Sequence, residues 1–566
     1  MGDVCRKPAL TRQVLACACA VAIVHVLASA VFLLANHRYS RHVNPLENAA
    51  LEQLKKAVSL HPKDEELREA FRILDRDVRH EFHRSRTLAQ RGGWVLGGGL
   101  LVLALAGGGL AVAGIRPARP EPLSPQAQDE NAAIRAGLLS GLAALGVFSV
   151  ILLLPSGSDE PAVTEPIDSA ESAPAFDAFA GQWPSFRGCG GVGVATATEL
   201  PLRWNGKTGA GIAWKITPPL AGFSSPVIWD DRIYLTGADN STREMFCFNL
   251  EDGALLWRHP ATGVAGSPAE LPEVTEDTGF AAATPTTDGA HVFAIFATGD
   301  VLCTDRDGKR LWARNLGVPD NPYGHASSLM LHHGRLLVQY DHFGRSRFLA
   351  LDAADGETVW ECEREVSASW ASPVLAKTES RYEVYLNAEP FVTAYDADSG
   401  QLLWQVECMS GEVGPSPGYG NGMAYFTTDY AVLAAVHTGA DPKAGAIAWQ
   451  VEDDLPDVSS PVVAGGLVFI AASSGILTCH DAKTGERKWQ QEYENGFYSS
   501  PVVGGDRLYL ADMNGLIHVI RVAATFSELA SNPLGEPMVA TPAMLKGRIL
   551  LRGARHLYCV TGTGGE

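Results

Sequence analysis

The sequence has no Cys-x-x-Cys pair, no two adjacent cysteines and no Cys-x-x-Cys-His, although it holds 10 cysteines in 566 residues. These absences exclude a zinc ribbon, a thioredoxin-like redox centre and covalently attached haem. Cys5, Cys17 and Cys19 lie near or in an apolar stretch, and Cys189, Cys247, Cys303, Cys362, Cys408, Cys479 and Cys559 stand singly. Several of these sit in strand-like apolar contexts such as Met245-Phe-Cys-Phe248, where a buried thiol is the expected state. Their spacing sets no disulfide pattern.

Positive charge is scarce after the first quarter of the chain. Residues 1–135 hold 18 Lys and Arg against 13 Asp and Glu, which leaves 27 against 51 for the rest, a shift from +5 to −24. So acidic a region repels a phosphate backbone, which excludes nucleic acid as a partner and keeps a large domain soluble. Between 155 and 181 there is no lysine or arginine at all. That segment, PSGSDEPAVTEPIDSAESAPAFDAFAG, is rich in Pro, Ser, Ala and acids and buries too little to fold, so residues 156–181 are expected to be a flexible acidic linker.

Long apolar runs are missing after residue 155 and concentrated before it. Val14–Ala35 is 22 residues without a formal charge, enough to cross a hydrocarbon core of roughly 30 Å. A cleaved signal peptide competes with this, because Ala28-Ser-Ala30 resembles a cleavage site. The apolar run continues through Val31-Phe-Leu-Leu-Ala35, which favours an uncleaved anchor. A lipoprotein start at Val14-Leu-Ala-Cys17 lacks a preceding apolar region. Residues 92–115 and 136–154 are two further candidate spans. The glycines of the first of these either allow close helix approach or are tolerated filler. Residues 44–91 form a helical hairpin, with Leu51, Leu54 and Val58 on one apolar face and Leu67, Phe71, Leu74, Val78 and Phe82 on another. Arg6, Lys7 and Arg12 before the first span predict a cytoplasmic N-terminus. Three spans then place the C-terminal region outside the cytoplasmic (inner) membrane, facing the periplasm or exterior.

Internal periodicity decides the fold. A Ser/Thr-Pro step recurs at 225/226, 284/285, 372/373, 416/417, 460/461, 500/501 and 541/542, and Ser328-Leu329 fills the one vacant place. A Gly-x-x-x-Trp step runs out of phase with it at 253/257, 308/312, 356/360, 400/404, 445/449 and 485/489. Strand–turn–strand patterns lie between these landmarks, including Leu508–Asp512, Asn514-Gly515 and Leu516–Ile520, and Asn-Gly is a strong hairpin signal. Four strands in about 40–45 residues make one blade of a propeller. The fold class is therefore an all-β eight-bladed propeller over 182–566, with four-stranded blades, preceded by α-helical transmembrane segments in 1–155.

Trp214, Trp257, Trp312, Trp360, Trp404, Trp449 and Trp489 are expected to dock blade against blade, each indole covering roughly 150–250 Å². Six of the eight blade starts end in one of these tryptophans, and Phe526 lies near the seventh place. The eighth start has too few residues after it for a complete blade, so the early strand around Trp214 is expected to close the ring beside Leu551–Val560.

Gln182-Trp-Pro-Ser-Phe-Arg-Gly188, the Trp214 strand and the Asp-x-x-x-Gly-x-x-x-Trp repeats resemble those of the pyrroloquinoline-quinone (PQQ) repeat propellers. The chain is most similar to membrane-anchored bacterial proteins with PQQ-binding-like repeats. Relatives include the outer-membrane barrel assembly lipoprotein and the quinoprotein alcohol dehydrogenases. The resemblance implies either a scaffold or, as the alternative, a PQQ- and Ca²⁺-dependent dehydrogenase of alcohols or sugars. The enzymes typically press a vicinal Cys-Cys disulfide against PQQ, which this chain lacks, and no calcium-ligand set or catalytic aspartate matches a local motif here. The expectation is therefore a non-enzymatic scaffold with no evident cofactor, binding an envelope protein, a peptide or a glycan; oligomeric state is not encoded legibly. The candidate binding residues are the loop aromatics and histidine Tyr323, His325, Trp370 and Tyr498. Capping of blade ends is the bland alternative for each. Asp341-His342 and His332-His333 invite a metal, but neither pair has companion ligands in sequence, and a hairpin turn accounts for the second.

Overall fold

The computed structural model describes residues 181–562 except 198, 277 and 322, together with residue 179 and scattered positions between 19 and 102. Two compact units divide the chain, Met1–Glu160 and Pro161–Glu566. In the first, described helical positions fall within 19–36 and at single sites from 50 to 102. Among the described residues no helix is long and apolar enough to cross a membrane. The 136–154 stretch lies wholly outside the described residues, and 14–35, 92–115 and the 44–91 hairpin lie largely or partly outside them. A Cβ on Gly99 would stand 2.9 Å from His25 Cδ2, so backbone and side chain approach closely there, as a small residue permits.

The second unit is an eight-bladed propeller of antiparallel sheets. Blade 1 comprises Val227–Trp229, Arg232–Ala238, Arg243–Asn249 and Leu255–Pro260. Blades 2 to 6 follow in the same order, with inner strands Thr286–Thr287, Met330–His332, Val374–Lys377, Gly418–Gly420 and Val462–Ala464. Blade 7 runs from Val502–Gly504 to Glu528–Pro533. Blade 8 has Ala543–Leu545, Arg548–Arg552 and Leu557–Val560, and its outer strand is the early Ile212–Ile216. Trp214 pairs with Cys559 and Ile216 with Leu557, so the ring is sealed by a strand from its own beginning.

The Ser/Thr positions that mark each blade start form a closed circle. Each backbone N–H donates to the hydroxyl of the next blade, from Ser225 to Thr284, then Ser328, Ser372, Ser416, Ser460, Ser500, Thr541 and back to Ser225, at 2.9 to 3.1 Å. All eight are buried. The step requires a hydroxyl, because an unpaired buried N–H is costly. Ser328 keeps the bond without the proline.

The Gly-x-x-x-Trp step has a tertiary reason. The indole of one blade lies on the glycine of the next, and a Cβ on Gly308, Gly356, Gly400 or Gly485 would stand 2.6 Å from that ring. These glycines also have φ between +74° and +85°. The indole Nε1 donates into the same turn: Trp214 to Leu250 O, Trp257 to Arg306 O, Trp312 to Ala353 O, Trp360 to Asp398 O, Trp449 to Ala482 O and Trp489 to Ala523 O, at 2.9 to 3.2 Å. Trp404 occupies the same place, but its Nε1 is buried without a partner. Phe526 does not stand in for the tryptophan that blade 7 lacks. In blade 7 the docking register position is Ala530, opposite Val519, while Phe526 packs edge-on against Trp489 with centroids 5.1 Å apart. Trp204, only 4% exposed, shares the apolar cluster with Ala530, and its backbone N–H donates to Asn532 Oδ1 at 2.9 Å, so an early tryptophan adds bulk beside blade 7. The described cysteines are all free thiols, five of them buried. Cys247, Cys303, Cys479 and Cys559 each lie directly across the sheet from a docking tryptophan.

Residues 183–199 are stitched to every blade. Trp183 bridges Ile228 in blade 1, and Pro184 O accepts from Thr286 Oγ1 and Thr287 N in blade 2. Ser185 reaches Met330 in blade 3, and Gly191 lies against Pro373 and Val374 in blade 4. The Arg187 guanidinium donates to Pro417 O in blade 5 and Pro461 O in blade 6. Val194 and Ala195 add a parallel strand to Val503 and Gly504 of blade 7, and Glu199 O accepts from Gly547 N in blade 8. The segment thus runs round the inner strands as a plug.

Candidate functional site: the loop face

Strand alternation gives the propeller two unlike faces. The turns between first and second strands and between third and fourth strands share one face. The loops between blades and those between second and third strands share the other, called here the loop face. Tyr323, His325, Trp370 and Tyr498 all lie in loops between blades.

Two of the four come together. The rings of Tyr323, before blade 3, and Trp370, before blade 4, have centroids 5.2 Å apart. Tyr323 Oη donates to Glu412 Oε1, before blade 5, at 2.9 Å. Trp370 Nε1 donates to Gly324 O at 3.1 Å, and its N–H donates to Val413 O at 2.9 Å. All three side chains are half-buried. Three successive loops therefore present a connected phenol–indole–carboxylate platform. The sequence reading missed Glu412, since nothing local marks it; only the fold brings it to Tyr323.

His325 does not join the platform's surface. It is 2% exposed, packs on Tyr340 with centroids 5.2 Å apart, and supports the loop from beneath. Burial pulls its pKa down to about 4. The unfolded chain then takes up a proton near pH 6.5 that the folded chain refuses until about pH 4, so stability falls as pH drops through that window. We expect His325→Gln to remove about 2 kcal/mol of the stability lost between pH 7.5 and 5 in urea unfolding, relative to the wild type. An unchanged pH profile would show that His325 is not the group concerned. Tyr498 stands before blade 7, two loops on from Glu412, also half-buried.

Under the platform lies an ion pair, Arg364 Nε to Asp341 Oδ1 at 2.9 Å, with both side chains at most 1% exposed. Asp341 is thus consumed by an arginine and is not a metal ligand with His342. The other buried cation of this face, Arg552, donates through Nη1 to Ser224 O and Oγ and to Thr236 O, and burial pulls its pKa down to about 9.

The residues do not fit PQQ with Ca²⁺. Calcium needs six to eight oxygens converging on one point. Here the buried carboxylates of the loop face are already engaged: Asp341 by Arg364 and Gln339, Asp300 by Ser267, Thr298 and Asn315, Asp512 by Asn495 and the Leu516 N–H, Glu244 by Arg258, and Glu536 by Arg555 and His556. The Arg364 and Arg552 guanidinium groups are likewise held by partners within the protein.

The family described as outer membrane protein assembly factor BamB, with PQQ_2 repeats, matches residues 184–322, 243–386, 388–524 and 476–565. The chain belongs to this family. A search of curated proteins returns no match. Solved structures with a similar fold include a europium-containing methanol dehydrogenase, with 13% identity, TM-score 0.53, and coverage of 66% of this chain and 89% of that one. The quinohemoprotein alcohol dehydrogenase ADHIIG from Pseudomonas putida HK5 is similar at 14% identity and TM-score 0.50, over 69% and 81% of the two chains. BamB from Moraxella catarrhalis gives 14% identity and TM-score 0.47, over 63% of this chain and 98% of that one. At such identities the likeness to the dehydrogenases is one of fold and carries no catalytic residues with it.

Proposed function

We propose that this BamB-family propeller is a non-catalytic scaffold, tethered by its N-terminal apolar segments to the cytoplasmic membrane and facing the periplasm or exterior. It binds an envelope protein or peptide on the loop face. The observation that carries this reading is the Tyr323–Trp370–Glu412 platform. Half-buried aromatics held by hydrogen bonds lose little side-chain freedom on binding, and Tyr and Trp dominate the energetics of protein interfaces. Glu412 adds an acceptor suited to a peptide amide or a basic side chain. An envelope glycan is the other ligand class that such a surface would take.

Cross-linking in intact membranes, from a photoreactive side chain placed at Tyr498, tests the proposal. We expect a discrete partner band that Trp370→Ala weakens about thirtyfold, the loss of roughly 2 kcal/mol typical of an aromatic hot spot. A band indifferent to Trp370 would remove the platform from the interface. Dye-linked oxidation of alcohols or sugars after addition of PQQ and Ca²⁺ would instead establish the dehydrogenase.

A further inference from the structure

On the turn face, far round the sheet from the loops, the structure supplies the companion ligand that the His332-His333 pair lacks in sequence. His332 ends the inner strand of blade 3, and His333 opens the turn to its second strand. Asp398 belongs to the turn between Phe391–Asp396 and Leu402–Glu407 of blade 4. His332 Nε2 stands 2.9 Å and His333 Nδ1 3.2 Å from the same Asp398 Oδ1, and all three ligand atoms lie within 4.8 Å of one another. Ligands at about 2.0–2.1 Å from a tetrahedral ion are separated by about 3.3 Å, close to the two measured spacings. This is the one such three-residue group among the described residues.

We propose that His332, His333 and Asp398 bind a divalent transition-metal ion, of the Zn²⁺ or Co²⁺ class, across the seam of blades 3 and 4. Two imidazoles and one carboxylate suit borderline metals and not calcium or magnesium. The groups are positioned in advance. His332 is buried, and Tyr382 of blade 4 packs on both rings at 4.7 and 5.0 Å. The Asp398 carbonyl is fixed by Trp360 Nε1 and by Arg335 Nη1. Asp398 is half exposed and His333 one-third exposed, so the remaining coordination positions open to water.

The turn geometry aims His333 at the same place. His333 has φ +44°, the left-handed region. The same turn position carries Asp230, Asn421, Gly465 and Gly505 in other blades, at φ +51° to +63°. The left-handed conformation belongs to the hairpin turn itself, and blade 3 is the one of these five that places a metal-ligating histidine in it. Arg335 Nη1 lies 3.9 Å from Asp398 Oδ1 and opposes a cation, which sets a moderate affinity. The site is on the opposite face from the loop platform, so either proposal stands if the other fails.

The competing account is a pair of imidazole–carboxylate hydrogen bonds with no metal. Titrating the full chain, stripped of metal, with Co²⁺ separates the two. We expect one Co²⁺ per chain, ligand-field absorption in the visible, displacement by Zn²⁺, and an unfolding midpoint raised by about 3 °C at a hundredfold excess over Kd. His333→Asn, which copies the residue blade 5 uses at this turn, should weaken binding at least about tenfold, as should Asp398→Asn. No Co²⁺ band, or an affinity unchanged in His333→Asn, overturns the site. Because the asparagine is already accommodated at the equivalent position, that variant decides even if Asp398→Asn folds poorly.

Discussion

Asp341→Asn is expected to lower stability by about 3–5 kcal/mol while barely altering side-chain shape. The aspartate accepts from Arg364 Nε at 2.9 Å and from Gln339 Nε2 at 2.7 Å. Arg364 also donates through Nη1 to Thr393 Oγ1 at 2.8 Å and Tyr395 Oη at 3.2 Å. Arg364 is fully buried, so removing its counter-ion leaves a guanidinium in a medium that solvates it poorly. Both partners belong to blade 3, and it is Arg364 that reaches Thr393 and Tyr395 of blade 4; Asp341 O accepts from Ser369 N, one residue before Trp370, at 3.4 Å. Urea unfolding measures the loss. The double replacement Asp341→Leu with Arg364→Met should recover much of it, since breaking a buried pair costs far more than exchanging it for apolar packing. A loss below about 1 kcal/mol in the single variant would mean that water reaches the pair.

Arg187→Leu should be nearly as damaging, at about 3 kcal/mol, and its signature should be local. This arginine is wholly buried and has no carboxylate against it; burial pulls its pKa down to about 9. Its acceptors are three carbonyls, of Val192, Pro417 and Pro461. Leucine would leave those carbonyls buried and unpaired, and the plug would lose its grip on blades 5 and 6. Limited proteolysis should then cut within residues 187–199 before the blades unfold, because local opening now lies well below global unfolding. If the variant loses stability but the protease finds the blades as early as the plug, the segment is one cooperative unit with the sheets.

The propeller was legible in the sequence because its devices repeat. Eight Ser/Thr starts, the last seven spaced 40 to 44 residues apart, set the number of blades, and Trp214, with no blade of its own to finish, identified the closing strand. What those residues do was less visible. The hydroxyls act on the neighbouring blade about 40 residues away, and each glycine of Gly-x-x-x-Trp makes room for the indole of the preceding blade, not for its own. Phe526 showed the hazard of reading a series by proximity: the docking register falls on Ala530, and Trp204, distant in sequence, adds bulk beside it. The same logic hid the candidate sites. Glu412 is 89 residues from Tyr323, and Asp398 is 65 from His333. Neither carries a local signal, and only the stacking of blades makes them neighbours. His325 is the opposite case: a polar residue in a loop reads as a candidate for the surface, and the fold packs it on Tyr340.

Trp214 and Cys559 are partners at opposite ends of the propeller's sequence. During synthesis Ile212–Ile216 leaves the ribosome hundreds of residues before Leu557–Val560 exists, and meanwhile it offers unpaired amides and an indole to whatever it meets. A chain terminated early would keep that edge permanently, with Cys559 and its neighbours absent. Nascent-chain handling therefore has a definite target in this protein, one short strand whose waiting time is the translation time of the entire ring.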